Sequence, residues 1–329
     1  MQQKFLIIQT AFPGDVILST SVAETLHRNF PDAEIHYLVR SGNESLFKGH
    51  PFINKIIIWE KRKSKYKSLL SVIRQVRKEH YSHAFNLQRF FSSGLITALS
   101  GAKFTSGFDK NPLSFLFDSK SKHSVSDGLH EIERNHHLVS KLTGGVADKP
   151  RLYPGIKDYE KIALYIQTTF ICIAPGSVWF TKTFPKEKWA LLIEQLFSKH
   201  KGIKIYLLGS ASESQLCDEL VRLSASDSLI NLSGQLSMLE SAALMKGAQM
   251  NFVNDSAPMH LASAVNANVT AIYCSTIPGF GFGPLSDCSK IVETKEILSC
   301  RPCGLHGYRS CPEGHFKCAL TIDVDSIIS

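Results

Sequence analysis

Lys4-Phe5-Leu6-Ile7-Ile8-Gln9 runs into Thr10-Ala11-Phe12-Pro13-Gly14-Asp15 and then into Val16 to Asn29. The apolar run predicts a buried strand, the Pro-Gly pair interrupts it, and Ile17, Val22 and Leu26 recur along one helical stripe. The succession of strand, loop and helix repeats to the end of the chain. Further strands are expected at Glu34 to Val39, Lys55 to Ile58, His83 to Leu87 and Lys103 to Phe108, with a helix over His130 to Leu142. Thr143-Gly144-Gly145 and the turn-rich Asp148 to Gly155 then break the pattern. It restarts with strands at Phe170 to Ala174, Lys204 to Leu208, Met250 to Val253 and Val269 to Tyr273, and helices at Lys186 to Lys199, Ser212 to Leu223, Met238 to Lys246 and Ala257 to Ala264. Alternating strands and helices predict an α/β fold with mainly parallel sheets. At 329 residues the chain suits two domains, expected at 1–150 and 151–329 and facing each other across a cleft. Ligands in such sheets bind at the carboxyl ends of the strands, so the strand-to-helix loops are the places to search.

Hydrophobic residues make up 43% and charged residues 20%, values that exclude wholesale disorder, coiled coil and collagen. No run of 18 uncharged apolar residues and no secretory pattern after Met1 occur, so a cytoplasmic protein without a membrane span is expected. The net charge of +8 calls for an anionic partner. Nearly all of that excess falls between Lys55 and Glu79, where Lys55, Lys61, Arg62, Lys63, Lys65, Lys67, Arg74, Arg77 and Lys78 stand against Glu60 and Glu79. Interleaved Tyr66, Leu69, Leu70, Val72, Ile73 and Val76 make this an amphipathic helix. Its basic face either rests on anionic headgroups and acceptor phosphates or is an ordinary solvated face.

Three loops carry chemistry. In the first, Gly14 allows close approach of the backbone to a ligand. Asp15 either caps the helix, the commoner role for such a residue, or accepts a proton. The second, Ala174-Pro175-Gly176-Ser177-Val178-Trp179-Phe180-Thr181-Lys182-Thr183-Phe184-Pro185, joins a glycine, hydroxyls and a lysine ahead of a helix, a combination suited to a diphosphate. It lacks the spacing of a P-loop. The third, Val253-Asn254-Asp255-Ser256-Ala257-Pro258-Met259-His260, offers free amides at a helix start, with Asp255 either a cap or an acceptor for sugar hydroxyls. His260, on an apolar helix, reads first as a structural histidine. Asp323-Val324-Asp325 spells a metal-holding D-x-D but sits at a helix start near the end of the chain, and Gly279-Phe280-Gly281-Phe282-Gly283 lacks dinucleotide spacing.

Cys172, Cys217, Cys274 and Cys288 are scattered and read as reduced thiols. Cys300, Cys303, Cys311 and Cys318 cluster, with His306 and His315 nearby. Their number suits tetrahedral zinc but only the first pair has zinc-like spacing, so a structural zinc is the less favoured alternative to free or disulfide-bonded thiols.

Taken together, Gly14-Asp15, Ala174-Pro175-Gly176-Ser177, Lys182-Thr183-Phe184-Pro185, Leu207-Leu208-Gly209-Ser210 with Glu213, Asn231-Leu232-Ser233-Gly234 and Asn254-Asp255-Ser256-Ala257-Pro258-Met259-His260-Leu261 resemble the ADP-heptose:lipopolysaccharide heptosyltransferase family, glycosyltransferase family 9. The match is closer to its heptosyltransferase II branch. The resemblance covers nearly the whole chain. It implies a GT-B fold of two Rossmann-like domains, with the acceptor on the N-terminal one and the nucleotide sugar on the C-terminal one. It also implies an inverting, metal-independent transfer without a cofactor. Asp15 matches the general base and Lys182 the lysine at the diphosphate, with Ser177 beside it. Glu213 falls where an acid binds ribose, Leu236 where an apolar side chain packs on adenine, and Asp255 where a carboxylate holds the donor sugar. Gly176, Thr181, Gly209, Ser256, Ala257 and His260 complete the donor side. The partners implied are an ADP-sugar, the lipopolysaccharide core and the cytoplasmic leaflet of the inner membrane, with Lys61, Arg62, Lys63, Lys65 and Lys67 on the acceptor or membrane side and no nucleic acid. Ala257-Pro258 departs from the D-S-G of close relatives and leaves the exact donor sugar open. Rival readings are the same machinery with another nucleotide sugar and a basic, non-enzymatic module that binds anionic glycolipid. A dehydrogenase is disfavoured by the absent G-x-G-x-x-G.

Overall fold

The computed structural model describes residues 3–61 and 65–328, the side chain of Lys65 excepted. The chain divides into two compact units, Met1–Tyr153 and Pro154–Ser329. Residues 151–153 go with the first unit, beyond the expected boundary at 150, because they are tied to its first helix. The Arg151 amide donates to Thr20 Oγ1 (2.9 Å), Tyr153 Oη donates to Glu24 Oε1 (2.9 Å), and Leu152 is buried.

The first unit runs β1 (Lys4–Ile8), α1 (Pro13–Asn29), β2 (Glu34–Arg40), β3 (Ile53–Trp59), α2 (Lys65–Arg77), β4 (His83–Asn86), α3 (Phe91–Ala98), β5 (Phe104–Phe108), β6 (Ser119–Ser121), α4 (Glu131–His136) and α5 (Ser140–Thr143). Its strands form one parallel sheet in the order β3-β2-β1-β4-β5-β6. The second runs α6 (Ile156–Ile162), β7 (Phe170–Ala174), α7 (Lys186–Lys199), β8 (Lys204–Leu207), α8 (Ser214–Ser224), β9 (Leu229–Asn231), α9 (Met238–Gly247), β10 (Asn251–Asn254), α10 (Ala257–Ala264), β11 (Val269–Tyr273), β12 (Ser289–Glu293), α11 (Lys317–Leu320) and α12 (Asp325–Ile328). Its parallel sheet has the order β12-β11-β10-β7-β8-β9. Counted within each unit, both sheets have the doubly wound order 3-2-1-4-5-6 of a Rossmann fold.

Parallel strands covered on both faces need continuous apolar runs, and β1 and β7 supply them: Phe5 to Ile8 are wholly buried, as are Phe170 to Ala174 within a few per cent. Leu6, Ile8, Leu38, Ile57 and Ile96 centre one core; Ile171, Ile173, Trp189, Leu192 and Ile205 centre the other. Three strands lacked a sequence signal: β6, β9 and β12. All lie at sheet edges, where half-exposed residues such as Ser119-Lys120-Ser121 suffice. The expected helix over 130–142 is two short ones. Between them the Leu138 and Val139 amides bond three residues back, to Asn135 O (3.1 Å) and His136 O (2.9 Å), so the chain turns there instead of continuing as an α-helix. Among the described residues no helix is long and apolar enough to cross a membrane.

Candidate active site

In the first unit, loop one leaves the carboxyl end of the central strand β1 and is held from three neighbouring strands. Asn43 Nδ2 donates to the Ala11 carbonyl (3.0 Å), Lys61 Nζ donates to Thr10 O (3.0 Å) and Oγ1 (2.9 Å), and Gln88 Nε2 donates to Gln9 Oε1, which also accepts from the Ala11 amide (3.2 Å). Phe12 is the N-cap of α1 and Pro13 its first residue, so Asp15 is the third helical residue and not the cap. There its carboxylate takes hydrogen bonds from the backbone of Phe12 and from its own amide, which favour the charged form. Burial opposes them, and the nearby Glu131 adds to burial, so the carboxyl is pushed up to about 6, with Arg89 pulling the other way. A carboxyl so placed is ionised at pH 7 and yet a far better proton acceptor than an ordinary aspartate.

In the second unit, loops two and three leave β7 and β10, which are adjacent in the sheet. Asn254 fastens them together: its Nδ2 donates to Pro175 O (2.7 Å) and Gly176 O (3.2 Å), and its Oδ1 accepts from the Phe184 amide (3.0 Å). This brings Lys182 Nζ to 2.8 Å from Asp255 Oδ2 in a largely buried pair, and Thr276 Oγ1 donates to the same carboxylate oxygen at 2.6 Å. Ser256, not Asp255, is the N-cap of α10, and its side chain does not cap; Pro258 has no N–H and the Met259 amide donates to Ser256 O (3.1 Å), so the amides at this helix start are those of Ser256 and Ala257. Lys182 is fixed from behind by Thr181. Its Oγ1 accepts from the Tyr308 amide (2.8 Å) and from Ser275 Oγ (3.0 Å), and its own amide donates to Tyr308 O (3.1 Å). Gly307, at φ +75°, has to be glycine there, because a Cβ would strike Thr181 Oγ1 at 2.7 Å and Lys182 Cγ at 3.1 Å.

Glu213 joins the same end of the sheet. Its Oε2 accepts from the Ser210 amide (2.7 Å) and hydroxyl (2.8 Å), and its carboxylate lies so close to Gly176 that any side chain there would collide with it. The Gly234 amide donates to Gly209 O (2.9 Å), bringing the turn that carries half-buried Leu236 beside Gly209. Ser177 is half-buried in loop two, and His260 is buried within α10. Gly176, Ser177, Thr181, Lys182, Gly209, Glu213, Leu236, Asp255, Ser256 and Ala257 of the expected donor set thus lie in or beside the loops at one end of one sheet, whereas His260 lies one turn into α10.

The basic stretch behaves differently from its expected uniform face. Lys61 is not on a helix: it follows β3, lies over the Trp59 ring at 4.6 Å and is drawn into loop one, where burial and then Arg40 push it down to about 8. Lys55 is in β3 and paired with Glu79 at 2.6 Å. Lys67, Arg74, Arg77 and Lys78 are exposed, while Val72, Ile73 and Val76 bury the other face of α2. Arg62 and Lys63 lie outside the described residues, as does the side chain of Lys65. Cys300, Cys303, Cys311 and Cys318 are free thiols, with Cys300 Sγ 3.9 Å from His315 Nε2. Among the described residues no three His, Cys, Asp or Glu side chains are grouped to hold a metal ion. Burial, and then the other thiols, push Cys318 up to about 11. Sequence reasoning did not single out Glu131, Thr276 or Tyr308. Each acts through a partner distant in sequence, and only Asn254 lay inside a quoted motif.

The family model of glycosyltransferase family 9 (heptosyltransferase) matches residues 69–307. Lipopolysaccharide heptosyltransferase 1 of Campylobacter coli is 27% identical over 317 residues, covering 90% of this chain and 91% of that one. Among solved structures, the Escherichia coli ADP-heptose lps heptosyltransferase II superposes with a TM-score of 0.75 at 22% identity, covering 93% of this chain and 92% of that one. A glycosyl transferase family 9 protein of Veillonella parvula superposes at 0.84 and 18% identity, covering 100% and 96%. Two Rossmann-like units, the loops at their strand ends and a family match over most of the chain lead to one conclusion: the chain is a glycosyltransferase of the GT-B fold and belongs to glycosyltransferase family 9, the heptosyltransferases.

Proposed function

We propose that the chain moves heptose from ADP-heptose to the inner core of lipopolysaccharide, inverting the anomeric centre and using no metal ion. The Lys182–Asp255 pair at the amino end of α10 supports this reading best. When the bond between C1 of the heptose and the diphosphate breaks, negative charge grows on the departing ADP. Lys182 and the amides of Ser256 and Ala257 at the start of α10 stabilise that charge, the role a divalent cation fills in other transferases. Asp255 holds hydroxyls of the donor sugar, Ser177 and Thr181 flank the diphosphate, Glu213 takes the ribose and Leu236 packs on adenine. Asp15 removes the proton from the acceptor hydroxyl as its oxygen attacks C1. A single displacement from the face opposite ADP inverts the centre. The relatives' names favour the donor and acceptor chosen: one is a lipopolysaccharide heptosyltransferase and another an ADP-heptose lps heptosyltransferase. The exposed Lys67, Arg74 and Arg77 of α2 meet the anionic headgroups of the membrane leaflet that carries the acceptor.

The test is ADP release from purified protein given ADP-heptose and core acceptors truncated at different lengths, free or in anionic liposomes. ADP-heptose is expected to turn over with at least one acceptor. Reversing Lys67, Arg74 and Arg77 to Glu is expected to slow only the liposome-borne reaction. Turnover of a different nucleotide sugar, with none of ADP-heptose, would overturn the donor. Equal rates on liposomes after charge reversal would overturn the membrane contact.

A further inference from the structure

Helix α4 packs on α1, the helix that carries Asp15, and presents a buried charged group for which the transfer described so far has no use. Arg134 is wholly buried. Its Nε donates to Glu131 Oε2 at 2.8 Å, and its Nη1 donates to the Leu129 carbonyl (2.6 Å), to Asp127 Oδ1 (3.2 Å) and to the Ser124 carbonyl (3.3 Å). The same Glu131 oxygen has His123 Nε2 at 3.4 Å, and the amide of His123 donates to Asp109 Oδ1 at 3.0 Å. Both Glu131 and His123 are about 6% exposed. A buried ion pair is poor at stabilising a fold, because desolvation of its members offsets most of their attraction. This one has another consequence. Glu131, on the helix packed against α1, is the member of this group whose negative charge acts on Asp15.

We propose that Glu131 is a positioning residue for the proton transfer: its fixed negative charge, held in place by Arg134 and His123, strengthens Asp15 as the acceptor of the proton from the attacking hydroxyl. The inference rests on the reading of Asp15 as the base. Burial by itself would push Glu131 up, but its hydrogen bond to His123 and the charges of His123 and Arg134 outweigh burial and leave its carboxyl below the usual range. Glu131 therefore stays charged while Asp15, pushed up to about 6, exchanges its proton. The strongest charges on Asp15 are Glu131 from α4 and, opposing it, Arg89 from the turn after β4. Lys141 of α5 and Arg40 at the end of β2 lie on the other elements packed against α1. A base whose partner is a permanent anion takes up a proton readily, and the protonated product is relieved of like-charge repulsion.

The test has two readouts on the full chain. Carbon-13 NMR of the Asp15 carboxyl in the free protein, assigned by its disappearance in Asp15→Asn, is expected to give a midpoint near 6 in the native protein and roughly one pH unit lower in Glu131→Gln. The side-chain amide oxygen of that variant would still accept the Arg134 bond, so the fold is kept. The acid limb of kcat/KM for transfer is expected to move down by the same amount, with affinity for ADP unchanged. Should Glu131→Gln fail to fold, His123→Gln, which loosens Glu131 without removing it, shifts both readouts less and in the same direction. A native midpoint near 4, or a midpoint that stays in place while melting temperature and rate fall at every pH, would overturn the proposal. Absence of transfer by the native protein would strike the functional reading alone, since the NMR midpoint reads the coupling without turnover.

Discussion

Two carboxylates stand beyond the carboxyl ends of interior strands in two sheets of the same topology, Asp15 after the first strand of its unit and Asp255 after the fourth, and have been given different neighbours. Asp15 lies in the first turn of α1, after the first strand of its unit, with an acid behind it, and is pushed up to about 6. Asp255 lies just ahead of α10 and is held by Lys182 at 2.8 Å and by the Thr276 hydroxyl at 2.6 Å. A carboxyl buried beside another anion is pushed up and becomes a better proton acceptor, whereas one bonded to a lysine and a hydroxyl holds that lysine in place. The fold supplies the position, and the neighbours decide the chemistry.

The sharpest way to break this contrast is at the pair. Lys182→Met is expected to lower kcat about 10²- to 10³-fold, the usual cost of losing one preorganised donor to developing charge. It also strands a buried carboxylate, at about 3 kcal/mol of stability. Asp255→Asn in the same chain is expected to restore the melting temperature without restoring kcat. Recovery of rate in the double variant would mean that the lysine serves the fold and not the leaving group.

A smaller effect on stability is expected at Asp15. Its folded value lies above the unfolded one, so the native state binds the proton more tightly. The stability this contributes is present below about pH 4 and lost as pH rises through about 6. Asp15→Asn is therefore expected to melt higher than the native protein at pH 8, by about 2 °C or more, and with little difference at pH 4. An equal difference at both pH values would show that Asp15 is not perturbed.

The same contrast separates what the sequence disclosed from what it concealed. The ranges of α7 and α10 and of the central strands β7 and β11 follow from apolar runs and periodicity, which packing then obeys. Gly176, Lys182 and Asp255 were legible as the residue types a diphosphate and a sugar require, in loops that follow strands. Their mutual contact was not, because Asn254 draws together segments about seventy residues apart. Lys61 read as one cation of a basic face on the acceptor or membrane side, yet Thr10 and Trp59 take it out of that run. Glu131 drew no notice in the sequence. Nothing in a sequence announces that Arg134, three residues on, is wholly buried and holds it against the helix of the base.

The division of labour between the two loops is tested most directly by Asp15→Asn measured twice, for ADP affinity by calorimetry and for single-turnover heptose transfer. ADP affinity is expected to stay within about twofold of the native protein, a change of a few tenths of a kcal/mol, since Asp15 is assigned to the acceptor hydroxyl and not to ADP. Transfer is expected to slow by about 10³-fold or more. Transfer within tenfold of the native rate, or loss of ADP binding along with it, would contradict the assignment of Asp15 as the base and of the second unit as the donor site.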